Sequence, residues 1–353
     1  MRFLKYISIA TIFALGIYFV FFRHNPYQEI NGKIFGTYYN IKISTDNKNR
    51  GLPLKIKNEL NTVNMEMSVF EPDSEINHIN DAEANKNIKL SDSMYHILSN
   101  AKQINKLTNG NFDPTVGPLV ELWGFGTSKQ NLSPSEEQIS QILATVGFDK
   151  LHISAKEKTL TKNNSNIMLN LSAIAKGYAV DRLTQLLHNE GYDNFVIEIG
   201  GEVYASGTKN KHSQGWNIGI AYPQKDNLNS NNAAVVRLSN MAVATSGDYR
   251  NYYYKDNKRY SHTISPHNGY PVEHNLASVT VFNPSCMIAD AIATGIMAMG
   301  EQKGLTFANN NKIPAIFFVR NEQNSLTMIL SSQAQILLKK QGLYTSLNNT
   351  RKE

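Results

Sequence analysis

Cysteine is almost absent from this chain: Cys286 is the only one among 353 residues. That single thiol excludes an internal disulfide, a CxxC pair and a thiolate metal cage. No cysteine stands near residue 20 to carry a lipid. A basic stripe interleaved with aromatics is missing as well, although the formal charge is +6. The charges are scattered, as on a solvated surface, so no nucleic-acid partner is expected. There is no internal repeat. What remains suffices for a large core, since 41% of the residues are hydrophobic, and one large domain or two intimate ones would fit.

The N-terminus differs from the body. Arg2 and Lys5 precede an apolar run from Tyr6 to Phe22, which Arg23 and His24 close. The run is near the lower limit of about 17 residues for a spanning helix. A signal peptide usually has a shorter apolar part, about 7–15 residues, followed by small residues at the cleavage site. This run ends in Phe19-Val20-Phe21-Phe22, so residues 1–24 read as an uncleaved anchor. Positive charge on its N-terminal side sends the body away from the cytoplasm. Residues 25–33 read as a linker, 34–345 as the folded domain and 346–353 as a polar tail.

Apolar spacing then sets the elements. Ile56, Leu60, Val63 and Met67 recur at helical spacing, as do Met94, Ile97, Leu98, Ala101 and Ile104 behind the cap Ser91. Ser133-Pro134-Ser135-Glu136 is a helix start, with Ser133 as cap. Further helices are expected over 172–189 and 289–299. Strands are expected over 34–44, 151–153, 167–171, 195–199, 216–222, 234–238, 278–282, 315–319 and 326–330. The mixture predicts an α+β fold with a mixed β-sheet core flanked by helices.

Several constellations could carry chemistry. Between Gly110 and Gly126 the chain is dense in Gly, Pro and aromatics, with Asp113 as an acid. Such a segment is a shaped loop, either a binding element or a structural turn. Asp290 and Thr294 stand one helical turn apart and offer two hard oxygens for Mg2+, or else a helix cap. Asn170 to Tyr178 runs from strand to helix start, where free N–H groups and Lys176 suit an anion. Gly177 is costly on an ordinary surface helix, by roughly 1 kcal/mol against alanine. Gly200-Gly201 after an apolar strand marks a tight turn or a close approach. His262, among small polar residues, can serve as a base or be an ordinary loop histidine.

Taken in order, Gly36-Thr37-Tyr38, Met67-Ser68-Val69-Phe70 with Ser74-Glu75, 112–126, 172–181, Gly200-Gly201, 244–250, 262–271 and 289–294 resemble the FAD:protein FMN transferase family. These flavin transferases were once described as thiamine-biosynthesis lipoproteins. The resemblance implies a T-fold-like flavin transferase architecture. It also implies a Mg2+-dependent reaction in which a Thr or Ser hydroxyl of a partner protein takes FMN from FAD and AMP leaves. Asp290, Thr294 and the Ala173 carbonyl would hold the metal. Phe35, Phe70, Asn111, Phe112, Asp113, Asn170, Lys176 and Ile264 would line the FAD site, and His262 would be the base.

The chain departs from the family at Asn170 and Ser265, where aspartate is common, at His267-Asn268, where Arg-Thr is common, and at Phe35, where methionine is common. The same site could hydrolyse FAD as a Mg2+-dependent pyrophosphatase, or only bind it as a membrane-anchored protein. No acceptor motif of the Asp-Gly-x-Ser-Gly-Ala-Thr kind occurs in the chain, so the acceptor is another protein. The resemblance points to membrane redox-complex subunits on the outer, periplasmic face of a bacterial inner membrane.

Overall fold

The computed structural model describes residues 27–127, 133–209, 213–223, 232–248, 252–255, 258–323 and 325–341. The expected anchor and polar tail lie outside the described residues, as do Tyr249 and Arg250 of the 244–250 motif.

Strands β1 (Tyr27–Ile34) and β2 (Thr37–Ser44) open the described chain as a hairpin. Helices α1 (Leu52–Met67) and α2 (Glu75–Asp81) follow, then β3 (Ile88–Lys89) and α3 (Asp92–Leu107). Short helices α4 (Gly117–Leu122) and α5 (Glu136–Leu143) lead to β4 (Leu151–Ser154), β5 (Thr159–Lys162) and the long α6 (Ser172–Asn189). Next come β6 (Phe195–Ile199), β7 (Glu202–Ser206), β8 (Trp216–Ala221), β9 (Asn232–Leu238), β10 (Met241–Gly247), β11 (Tyr252–Lys255), β12 (Lys258–Ser261) and β13 (Leu276–Asn283). Helices α7 (Cys286–Met299) and α8 (Glu301–Asn310), strands β14 (Ala315–Arg320) and β15 (Leu326–Leu330), and α9 (Ser332–Lys340) complete it.

One sheet of eight strands dominates, in the order β1-β2-β6-β7-β10-β13-β14-β15. Each of its pairings is antiparallel, so the α+β class stands while the sheet is not mixed in strand direction. Its neighbouring strands are consecutive, or joined across helices (β2 to β6, β13 to β14) or across the strand pairs β8–β9 and β11–β12, and antiparallel pairing satisfies that connectivity without parallel crossovers. Strand β13 is buried along nearly its whole length. A strand with cover on both faces needs such an apolar run. On one face lie α6 and α7, whose Ile174, Val180, Leu183, Ile292 and Ile296 join the main core with the α1 and α3 stripes. On the other face the β8–β9 hairpin and α9 bury Trp216, Val236, Leu238 and Leu338 against Val243 and Phe318. Helix α7 is buried on most of its surface, as its nearly all-apolar sequence requires.

Several expectations shift. Residues 27–33, expected as linker, form β1, because alternating Gln28 and Ile30 turn inward against β2. Phe35 and Gly36 turn that hairpin with φ of 51° and 71°. A two-residue turn with both φ positive matches the strand twist. The strand expected over 167–171 forms no ladder. The Asn80 amide takes its place, accepting from Leu169 N–H at 2.7 Å and donating to the Leu169 carbonyl at 3.0 Å. Ser135, not Ser133, caps α5, in a capping box with Gln138. The 110–126 segment contains a 3-10 turn at Pro114–Val116 and α4, since Pro114 and Pro118 sit in first turns, where a missing N–H costs nothing.

Candidate active site

Helices α6 and α7 meet more closely than side chains would allow. A Cβ on Gly177 would collide with the backbone carbonyl of Cys286. This contact explains a glycine in mid-helix. The Gly177 N–H donates to Asp290 Oδ2 at 3.0 Å. One helix's backbone thus orients an expected metal ligand carried by the other. Asp290 lies in the second turn of α7, which starts three residues earlier than expected, at Cys286 behind the cap Ser285. It therefore does not cap its own helix. Asp181 does that work from α6, accepting from Cys286 and Met287 N–H at 2.8 and 3.0 Å and from the Ser285 hydroxyl at 2.6 Å. Thr294, one turn on, shares a 3.1 Å hydrogen bond with the Ser246 hydroxyl on β10.

Lys176 stands between two buried acids. Its Nζ is 3.0 Å from Glu202 Oε1 and 3.9 Å from Asp290 Oδ2. Both carboxylate residues are only 2% exposed. Burial alone would depress the lysine, but Asp290 and Glu202 outweigh it and hold the ammonium protonated. Burial raises the Asp290 carboxyl and pushes Glu202 up to about 7. The Gly200-Gly201 turn makes this approach possible. Gly200 has φ of 61°, and a Cβ there would press on the Lys176 stem at 3.3 Å and on Thr37 at 2.8 Å.

A cleft of about 1160 Å³ opens over these groups. Phe35, Phe70, Asn111, Phe112, Asp113, Asn170, Ala173, Lys176, His262, Ile264, Asp290 and Thr294 all line it, drawn from six segments of the chain. Their parts differ. Asp113 is occupied by the loop itself: it accepts from Thr115 N–H and hydroxyl at 2.8 and 2.6 Å, from Phe148 N–H and from the Asn105 amide at 3.1 Å each. Burial still pushes its carboxyl up. Asn170 Oδ1 accepts the Ser172 N–H at 3.0 Å, covering the first free donor of α6. An amide does this as an aspartate would. Phe70 is 62% exposed, a flat apolar surface at the cleft wall.

The His262 side of the cleft rests on aromatic stacking. Trp123 stacks on Tyr260 and Tyr260 on Tyr253, with centroids 5.6 and 5.2 Å apart. Trp123 Nε1 donates to the Gly269 carbonyl at 2.7 Å, tying the 110–126 segment to the loop after His262. The His262 ring stands edge-on to Phe125 at 6.4 Å. Asp248, 4% exposed, pins the β11–β12 hairpin to β14 by accepting from Arg259 at 2.5 Å and from Arg320 at 2.6 and 2.8 Å.

The residues present suit a small hard cation. Carboxylate, hydroxyl and backbone carbonyl are all oxygen donors, and Mg2+ takes few protein ligands. Two buried acids face one ammonium in this wall, and Glu202 Oε2 is buried without a hydrogen-bond partner. Among the described residues no three His, Cys, Asp or Glu side chains converge as a metal cage. Glu202, Asp248 and Ser246 were not read as site residues from sequence. An acid following Gly-Gly at the head of an apolar strand was the available signal for Glu202.

The ApbE family model matches residues 35–317. This chain belongs to the ApbE family. It is 38% identical over 307 residues to the FAD:protein FMN transferase of Haemophilus influenzae, covering 85% of this chain and 88% of that one. It is 34% identical over 315 residues to the FAD:protein FMN transferase of Escherichia coli, covering 88% of each. The flavin transferase ApbE from Vibrio cholerae superposes with a TM-score of 0.80 at 35% identity, over 88% of this chain and 99% of that one. The apo flavinyl transferase ApbE of Pseudomonas stutzeri gives 0.79 at 33% identity, over 88% and 96%. The architecture described above is therefore the ApbE flavin transferase fold.

Proposed function

We propose that this member of the ApbE family is a FAD:protein FMN transferase. It moves the FMN part of FAD onto a Thr or Ser hydroxyl of a partner protein through a phosphoester. The observation that carries this reading is the convergence of Asp290, Thr294, Lys176 and His262 on one cleft large enough for a dinucleotide.

FAD lies along the cleft, with aromatic Phe35 and Phe70 offering stacking surface to its rings. Lys176 neutralises charge at the diphosphate, and the N–H groups at the start of α6 add to that field. Asp290, Thr294 and the Ala173 carbonyl would hold Mg2+, which, when bound, would withdraw charge from the diphosphate. His262 takes the proton of the acceptor hydroxyl. The hydroxyl oxygen attacks the phosphorus on the riboflavin side and forms the new P–O bond. The bond to the bridging oxygen breaks, and AMP leaves with that oxygen and its electron pair. Phosphoryl transfer of this kind rests on positioning and charge neutralisation more than on covalent chemistry by the protein.

The N-terminal apolar run anchors the enzyme in the inner membrane with this body on the periplasmic side. Its acceptors are subunits of membrane redox complexes that carry a Thr/Ser flavinylation motif. The absence of such a motif from the chain supports an acceptor in trans.

Incubation of the soluble body with FAD, Mg2+ and a candidate acceptor tests the proposal. A flavin-fluorescent acceptor band on a denaturing gel is the expected result. Free FMN alone would mean water is the acceptor and the enzyme is a pyrophosphatase. Bound FAD without turnover would mean a binding protein. Against that last outcome, Asn170 keeps its hydrogen bond to the head of α6 despite the departure from aspartate.

A further inference from the structure

Glu202 has no part in the chemistry above, yet it is buried beside it. Its Oε1 holds Lys176 at 3.0 Å, whereas Asp290 stands at 3.9 Å from the same ammonium. Its other oxygen is buried, lacks a hydrogen-bond partner, and belongs to a residue that lines the cleft. The chain reaches this position through two consecutive glycines with φ of 61° and 107°. The first of these leaves room for the lysine stem.

We propose that Glu202 is a positioning residue: by binding the Lys176 ammonium it keeps that ammonium off Asp290, so that the Asp290 carboxylate stays available to a divalent cation. The inference rests on the reading of Asp290 and Thr294 as the cation seat.

The physical basis is competition for one carboxylate. Lys176 is 29% exposed in its side chain and lies between two anions. A half-buried ammonium needs a counter-charge. With Glu202 ionised, it has one at hydrogen-bond distance and leaves Asp290 only a longer-range contact. With a neutral residue at 202, Asp290 is the remaining anion. The flexible four-carbon stem allows the small movement that closes the gap. An ammonium seated on Asp290 must then be displaced before a cation can bind, which lowers cation affinity.

Glu202→Gln keeps the shape and removes the charge. Mn2+ is the probe, titrated by loss of its free-ion EPR signal, alone and with FAD but without acceptor. The expected result is an affinity loss of about tenfold or more, the scale of one charge pair in a partly buried site. In a Lys176→Gln background the same change costs less than about threefold, because the two residues act as one unit. Equal loss in both backgrounds would mean that Glu202 acts by its own field or as a ligand, and would overturn the proposal. No loss from Glu202→Gln in the otherwise wild-type protein, with Lys176 intact, would overturn it too.

Asp290→Asn separates this inference from the seat itself. If Asp290→Asn abolishes Mn2+ binding while Glu202→Gln leaves it intact, only the inference fails. If wild type binds no Mn2+, or Asp290→Asn binds it as wild type does, the seat fails and takes the inference with it. Should the double variant not fold, a crystal structure of Glu202→Gln decides. Lys176 Nζ within hydrogen-bond distance of Asp290 supports the proposal, and an unchanged separation overturns it.

Discussion

The Gly177 N–H donates to Asp290 Oδ2 at 3.0 Å, where α6 and α7 approach too closely for a Cβ on residue 177. Two opposed effects meet in Gly177→Ala. Helix propensity favours alanine by roughly 1 kcal/mol. The added methyl meets the Cys286 carbonyl, which is backbone and cannot swing aside. Overpacking against such an atom costs about 1–3 kcal/mol, and displacing Asp290 adds to it. We expect Gly177→Ala to lower both the urea midpoint and transferase activity. A stabilised variant would show that the helices can part freely.

His262→Asn tests the base. Removing a general base costs about 10²–10⁴ in rate. The loss should fall on turnover, with FAD affinity, read by flavin fluorescence quenching, nearly unchanged. A variant that loses FAD binding in proportion to activity would make His262 a binding residue instead.

Glu202 gives a pH signature in metal-free protein. Burial raises its folded value to about 7 from an ordinary 4.5. The folded state therefore holds the proton more tightly than the unfolded chain does. Its contribution to stability is complete below pH 4.5 and fades as pH rises through about 7. The difference in unfolding free energy between wild type and Glu202→Gln should fall with rising pH across that window and level off above it. An upward slope would mean that the Lys176 pair dominates burial.

Asp248 behaves in the opposite sense. Burial alone would raise it, but hydrogen bonds from Arg320 and Arg259 outweigh burial and hold its carboxyl below the ordinary value. Its stabilisation is present above the ordinary carboxyl range and is lost as pH falls below it. Asp248→Ala strands two arginines and should cost about 3 kcal/mol, the lower end for breaking a buried pair. Arg320→Met should cost less, since Arg259 keeps its partner. Urea unfolding of the two variants checks the order.

The helical stripes were legible because burial follows spacing. All of Ile56, Leu60, Val63 and Met67, and all of Met94, Ile97, Leu98, Ala101 and Ile104, point into the core. The 167–171 segment reads as a strand because it is an apolar run, yet Leu169 is held by the Asn80 side chain, distant in sequence, and not by a neighbouring strand. Helix α9 is not among the expected elements because it is short and buries only Ala334 and Leu338, too little of a stripe to show as a helical period. Asp290, Thr294, Lys176 and His262 were found through a family resemblance, and spacing alone left each open. Glu202 stayed hidden because its importance lies in a pairing across sheet and helix. The Gly-Gly turn before it hinted at a close approach but did not say to what.

In-gel flavin fluorescence of an acceptor protein co-expressed with this chain, with Asp290 intact and with Asp290→Ala, tests the central claim most directly. The account predicts a fluorescent acceptor band with the wild type and none with the variant, at equal expression of both. A band of equal strength with Asp290→Ala would contradict it, because flavin transfer would then proceed without the carboxylate that seats the cation.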